Sequence, residues 1–88
     1  MSIDAVIEVV YRRENMTRLL LKPRRDQRGR LLSIAGRREL LITKNADYAP
    51  QIGDEIWGNS SEVVISKNKV DHKFRRIERI YGGGYQVK

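Results

Sequence analysis

Twelve of the 88 residues are arginine, against six lysines and one histidine, and this imbalance is the strongest chemical signal in the chain. Guanidinium groups are planar, forked donors that match phosphate oxygens two at a time and stack on rings, which ammonium groups do less well. Arg12 and Arg13 sit at one turn, with Arg18 beyond it; Arg24, Arg25, Arg28 and Arg30 fill a loop; Arg37 and Arg38 follow, and Arg75, Arg76 and Arg79 form a late group. Tyr11 immediately precedes the first group, and Tyr81 and Tyr85 flank a run of three glycines beside the last. Positive groups track a polyanionic backbone, and rings between them offer stacking surfaces to unpaired bases. The candidate nucleic-acid-binding residues are therefore Arg12, Arg13, Arg24, Arg25, Arg28, Arg30, Arg37, Arg38, Arg75, Arg76 and Arg79, with Tyr11, Tyr81 and Tyr85. The bland alternatives are a solvated basic face for the arginines and core or rim packing for the tyrosines.

Other chemistries find less support. His72 is the sole histidine, so multi-histidine metal sites are excluded and a Ser-His-acid arrangement would rest on one residue of surface character. The chain has no cysteine, which excludes disulfides, thiolate zinc sites and cysteine nucleophiles. Asp54 and Glu55 are adjacent, so on a strand they point to opposite faces and cannot work as an acid-base pair. The other carboxylates read as surface partners of nearby bases. Gly82, Gly83 and Gly84 have bare amides suited to cradling phosphate, but the Lys-Ser/Thr of a phosphate-binding loop is missing, and a hairpin turn is the better reading. The expectation is a binding domain, not an enzyme, with no cofactor and no metal.

The net charge of +7 is unevenly spread: −2 over residues 1–11, +8 over 12–38, −4 over 39–66 and +5 over 67–88. Two basic blocks flank an acidic middle, and in the fold they either merge into one positive face or neutralise each other across a sheet. RNA or DNA is the expected partner, with an acidic protein docked on the same face as the alternative. Asp4 and Glu8 interrupt the first apolar stretch, so it does not read as a signal peptide, and no apolar run approaches the roughly 20 residues that span a bilayer. No integral membrane association is expected, and the lack of cysteine suits a cytoplasmic location. At this length residues 1–88 are expected to form a single domain with one modest core.

Short strands must position these groups. Residues 3–12 alternate, with Ile3, Ala5, Ile7, Val9 and Tyr11 on the face expected to turn inward. A turn at 13–15 leads to a second strand over 16–22, with Leu19 and Leu21 on one side. Residues 22–30 hold five basic side chains, Pro23 and Gly29, and nothing apolar to bury between Pro23 and Leu31, so they read as a loop. Apolar runs at 31–35 and 39–43 suit a hairpin through Gly36, or one strand bent by a bulge there. After a connector over 45–50, Glu55, Ile56 and Trp57 start another strand, with Trp57 expected as a core anchor. Residues 62–66 form a further strand. Residues 70–81 fit either a helix capped by Asp71 and ended by Gly82, or a strand with Ile77 and Tyr81 on one face and Phe74 out of phase; the β context favours the strand.

Pro50-Gln51-Ile52-Gly53-Asp54-Glu55-Ile56 resembles the Pro-x-x-Gly-Asp-x-hydrophobic strand entry of OB-fold and SH3-like small barrels, many of them RNA-binding or associated with translation. The resemblance covers these seven residues directly and the strand order loosely; with several short strands at close spacing and glycine and asparagine turns between them, the expectation is an all-β, small antiparallel β-barrel, OB-like or SH3-like, with at most one short helix in 71–81. A helix before this turn, usual in the OB pattern, is not evident.

Overall fold

The computed structural model describes residues 3–23 and 38–88. Among them the chain forms β1 (Ile3–Arg12), β2 (Thr17–Pro23), β3 (Arg38–Ile42), β4 (Glu55–Gly58), β5 (Glu62–Lys67), β6 (Val70–Arg79) and β7 (Tyr85–Val87), and no helix. β1, β2 and β3 make one meander and β4, β5 and β6 a second. The two join where β1 pairs with β4 and where β3 pairs with β6, so six strands connect in a ring. Every pairing is antiparallel. β7 extends the β5 edge of β6: the Arg76 amide donates to Ser61 and the Arg76 carbonyl accepts from Lys88. The radius of gyration, 12.9 Å, is that of a compact chain of this size.

The core lies inside this ring and is drawn from both meanders: Ala5, Ile7, Leu19, Leu21, Leu40, Ile42, Ile56, Val63, Ile65 and Phe74. Leu19 and Leu21 face inward as their alternation requires. In β1 the expected inward face holds only as far as Ile7. A bulge at Glu8 shifts the register from Ile7 opposite Leu21 to Val9 opposite Leu20. The extra residue reverses the phase, so Val10 packs against the core and Tyr11 turns outward, 40% exposed.

Residues 70–79 are strand, not helix. Six of them pair with β5, and Asn68 and Lys69 form the two-residue turn between the strands, both with positive φ, 53° and 67°, as a type I′ turn requires. Phe74 is the buried residue of β6, and no bulge is needed to bring it there; the Ile77 side is the outer face. Trp57, expected in the core, is 38% exposed, because Ile56 takes the inward position of the short β4. The expected hairpin partner at 31–35 lies outside the described residues; β3 pairs with β2 and β6.

The connector before β4 is held by a buried carboxylate. Asp54 is only 6% exposed. One of its oxygens accepts from the Tyr48 hydroxyl and, at 3.0 Å, from the Gln51 amide; the other accepts from Lys67 Nζ at 3.3 Å. The Gly53 amide donates to the Ile7 carbonyl, which ties this turn to β1 one residue before the bulge. The Tyr48 ring stacks on His72, with centroids 4.6 Å apart. Burial, reinforced by the bond to Asp54, pushes the Tyr48 phenol up to about 12.

Two predictions follow from these contacts. Tyr48 titrates above its ordinary value of 10, so the stability it lends is complete below pH 10 and is lost as the pH rises towards 12. Tyr48→Phe should cost about 1–2 kcal/mol at neutral pH in urea unfolding and should flatten the alkaline fall between those limits. At Gly58 an added Cβ would lie 2.2 Å from the Glu62 carbonyl oxygen and 2.6 Å from Val63 Cα. Backbone cannot yield there without opening the β4–β5 turn, so Gly58→Ala should destabilise by roughly 1–3 kcal/mol in the same assay.

Candidate functional site

The ladder between β3 and β6 places two outward rows of side chains next to each other. Tyr11, Arg18, Leu41, Ile77 and Val87 are successive cross-strand partners over β1, β2, β3, β6 and β7. Beside them run Val9, Leu20 and Glu39, then Arg79 and its partner Tyr85. All point outward because Leu19, Leu40, Ile42 and Phe74, of the opposite parity on these strands, point in.

Glu39 is the centre of this surface. One carboxylate oxygen accepts from Arg18 Nε; the other accepts from Arg79 Nη2 at 2.8 Å and Nε at 3.3 Å. Each arginine also lies over a tyrosine: Arg18 Cζ is 4.9 Å from the Tyr11 ring centroid, and Arg79 Cζ is 5.8 Å from that of Tyr85. The order across the sheet is ring, guanidinium, carboxylate, guanidinium, ring. The bond from Arg18, with that from Arg79 second, holds the Glu39 carboxyl below the usual value of 4.5, and the same contact raises the Arg79 guanidinium. Leu41 faces outward yet is only 6% exposed; it forms the floor of a cleft of about 550 Å³ walled by Arg13, Arg18, Arg79 and Tyr85.

The arginines expected to bind are not all alike in the fold. Arg13 and Arg79 reach this cleft. Arg12 has the inward parity and donates from Nη2 to the Pro50 carbonyl at 2.9 Å. Arg75 donates to the Lys88 carbonyl. Arg76 follows Phe74 on the inner side of β6; it donates from Nη1 to the Asn59 carbonyl at 3.1 Å, and its buried Nε has no partner among the described residues. Burial lowers the Arg76 guanidinium. Carbonyl contacts orient a guanidinium without cancelling its charge. Arg38 opens β3, exposed. Arg24, Arg25, Arg28, Arg30 and Arg37 lie outside the described residues. Tyr85 is half-exposed and Tyr81, in the turn, wholly so. That turn closes through Gly83 and Ile80, and all three of its glycines have positive φ, near 91°, 109° and 91°, which side-chain-bearing residues rarely adopt.

Arg18 and Glu39 were not expected at the site. The first was legible to within one residue: the expected turn at 13–15 puts Thr17 opposite Tyr11, and the turn in the structure, one residue longer, puts Arg18 there. No local signal marks Glu39, whose two partners lie 21 and 40 residues away. Comparison with protein-family models, with curated proteins and with solved structures finds no match.

The depressed Glu39 carboxyl makes a prediction for acid stability. Its contribution is complete above the ordinary value and is lost as the pH falls through the lower folded-state value. At this exposure solvent screening limits it to about 0.5 kcal/mol. Glu39→Gln should melt a few degrees lower than the parent at neutral pH, and the two melting curves should converge as the solution is acidified below pH 4.

Proposed function

We propose that this chain is a non-enzymatic, small-barrel nucleic-acid-binding domain that takes RNA or DNA on the outer face of β1, β2, β3, β6 and β7. The observation that carries the reading is the convergence of Arg13, Arg18, Arg79 and the Tyr85 ring around one cleft, with the Tyr11 ring against Arg18. Charge supports it from a second direction. The segment 24–37, between β2 and β3, contains five arginines and one aspartate, hence +4 of the total +7. It joins the sheet at Pro23 and Arg38, the ends of the two strands that carry Arg18 and Glu39. Phosphate contacts from Arg24, Arg25, Arg28, Arg30, Arg37 and Arg38 extend the track, with Arg12, Arg75 and Arg76 contributing charge at longer range and Tyr81 a further ring.

A second reading, docking of an acidic protein by an adaptor-like domain, draws on a different feature. Ile80, Tyr81, Tyr85 and Val87 are all at least 42% exposed and lie together on the β6–β7 hairpin, whose last strand is three residues long. Such a hairpin offers apolar area and a strand edge to a protein partner.

Fluorescence anisotropy with a labelled oligonucleotide separates the two. The nucleic-acid reading expects affinity to fall as salt rises, with a log-log slope of roughly 0.7–0.9 per phosphate neutralised, and Arg13→Glu to weaken binding and reduce the slope. A flat slope, or no binding at moderate salt together with specific capture by an acidic protein, would overturn it.

A further inference from the structure

We infer that the cleft takes single-stranded nucleic acid, and that Glu39 occupies the position of a backbone phosphate until one displaces it. This deepens the function proposed above and rests on it.

Three features point the same way. Two guanidinium groups converge on a single two-oxygen anion, with Arg18 on one oxygen of Glu39 and Arg79 on the other. A phosphodiester presents the same pair of anionic oxygens and the same single negative charge, so it can accept those donors in place of the carboxylate. Glu39 then swings into water, which its exposed position on the sheet allows: its side chain is 32% accessible even when bridged. The exchange conserves charge-assisted hydrogen bonds.

Next, the anion position is flanked on both sides by planar stacks. Each Tyr-Arg pair presents a ring and a guanidinium plane on an outward sheet face, with Tyr11 40% and Tyr85 50% exposed. Bases meet such planes only when they are unpaired, because a duplex keeps its base faces inside its own stack. Finally, the ground beside the anion position is apolar: Leu41, almost wholly buried, is paired with Ile77 on β6. Ile77 is half-buried and its β7 partner Val87 is 50% exposed, so apolar area remains on this face for an unpaired base to cover. Four inter-strand steps separate Tyr11 from Tyr85, on the order of 19 Å along the sheet, which suits a run of a few nucleotides.

The test uses the full chain and a labelled, unstructured pyrimidine oligonucleotide of about ten nucleotides, compared with the duplex it forms with its complement. The single strand should bind at least tenfold more tightly. Glu39→Gln leaves both guanidiniums uncompensated and should tighten single-strand binding by roughly three- to tenfold, with a salt slope steeper by about 0.7. Tyr85→Leu should weaken it about tenfold while Tyr85→Phe leaves it unchanged, a split that separates stacking from folding. Salt-dependent binding that is equal for strand and duplex, or that weakens with Glu39→Gln, overturns this inference and leaves the broader function standing. Absence of salt-dependent binding to either form overturns both.

Discussion

The join between β3 and β6 is the constraint on which the rest of this structure depends. It consists of two residue pairs, Leu41 with Ile77 and Ile42 with Arg76, extended by the contacts of Thr43 with Arg75. Without it, β1–β3 and β4–β6 would meet along β1 and β4 alone. Each meander would then leave an inner apolar face exposed. Because the pairing is antiparallel, one register choice carries Glu39 to Arg79 at the same time as it carries Ile42 over the core. A slip of one residue would reverse which side chains point in, so packing inside and charge pairing outside are selected together.

Two carboxylates mark the two sides of this arrangement. Asp54, inside, is satisfied by an amide, a phenol and an ammonium, and it pins the connector between the two meanders. An interior carboxylate without those donors would be strongly unfavourable, so its environment is fully committed to the fold. Glu39, outside, is held by side chains alone, in reach of water, and its partners are among the residues best placed to meet an anion. Burial therefore distinguishes a carboxylate that builds the domain from one free to exchange partners.

The same contrast explains how much was legible beforehand. Strand alternation in residues 3–12 and 16–22 and the β5 run follow from local composition, and the structure has strands there. Leu19 and Leu21 face the core because nothing disturbs the period of two between them. Tyr11 departs from expectation because a bulge at Glu8 is invisible to a rule of strict alternation. Trp57 departs because size and hydrophobicity argue for burial, while the parity of a four-residue strand had already given the inside to Ile56. At the site, Tyr11 with Arg18 is a hairpin contact and could be placed to within one residue from the turn. Glu39 with Arg79 could not.

By itself, the order of residues determined what is short-range: an antiparallel chain of short strands, a surplus of guanidinium groups, and rings near two of their clusters. These depend on propensity, on alternation and on charge, all of which act within a few residues. Tertiary structure alone decided which arginines keep an outward face, which of them share a carboxylate, and that an acid from the middle of the chain sits between two bases drawn from its ends. The reason is geometric. Cross-strand neighbours far apart in the chain are set by the register of a ladder, and that register comes from packing the whole core rather than from any segment of it.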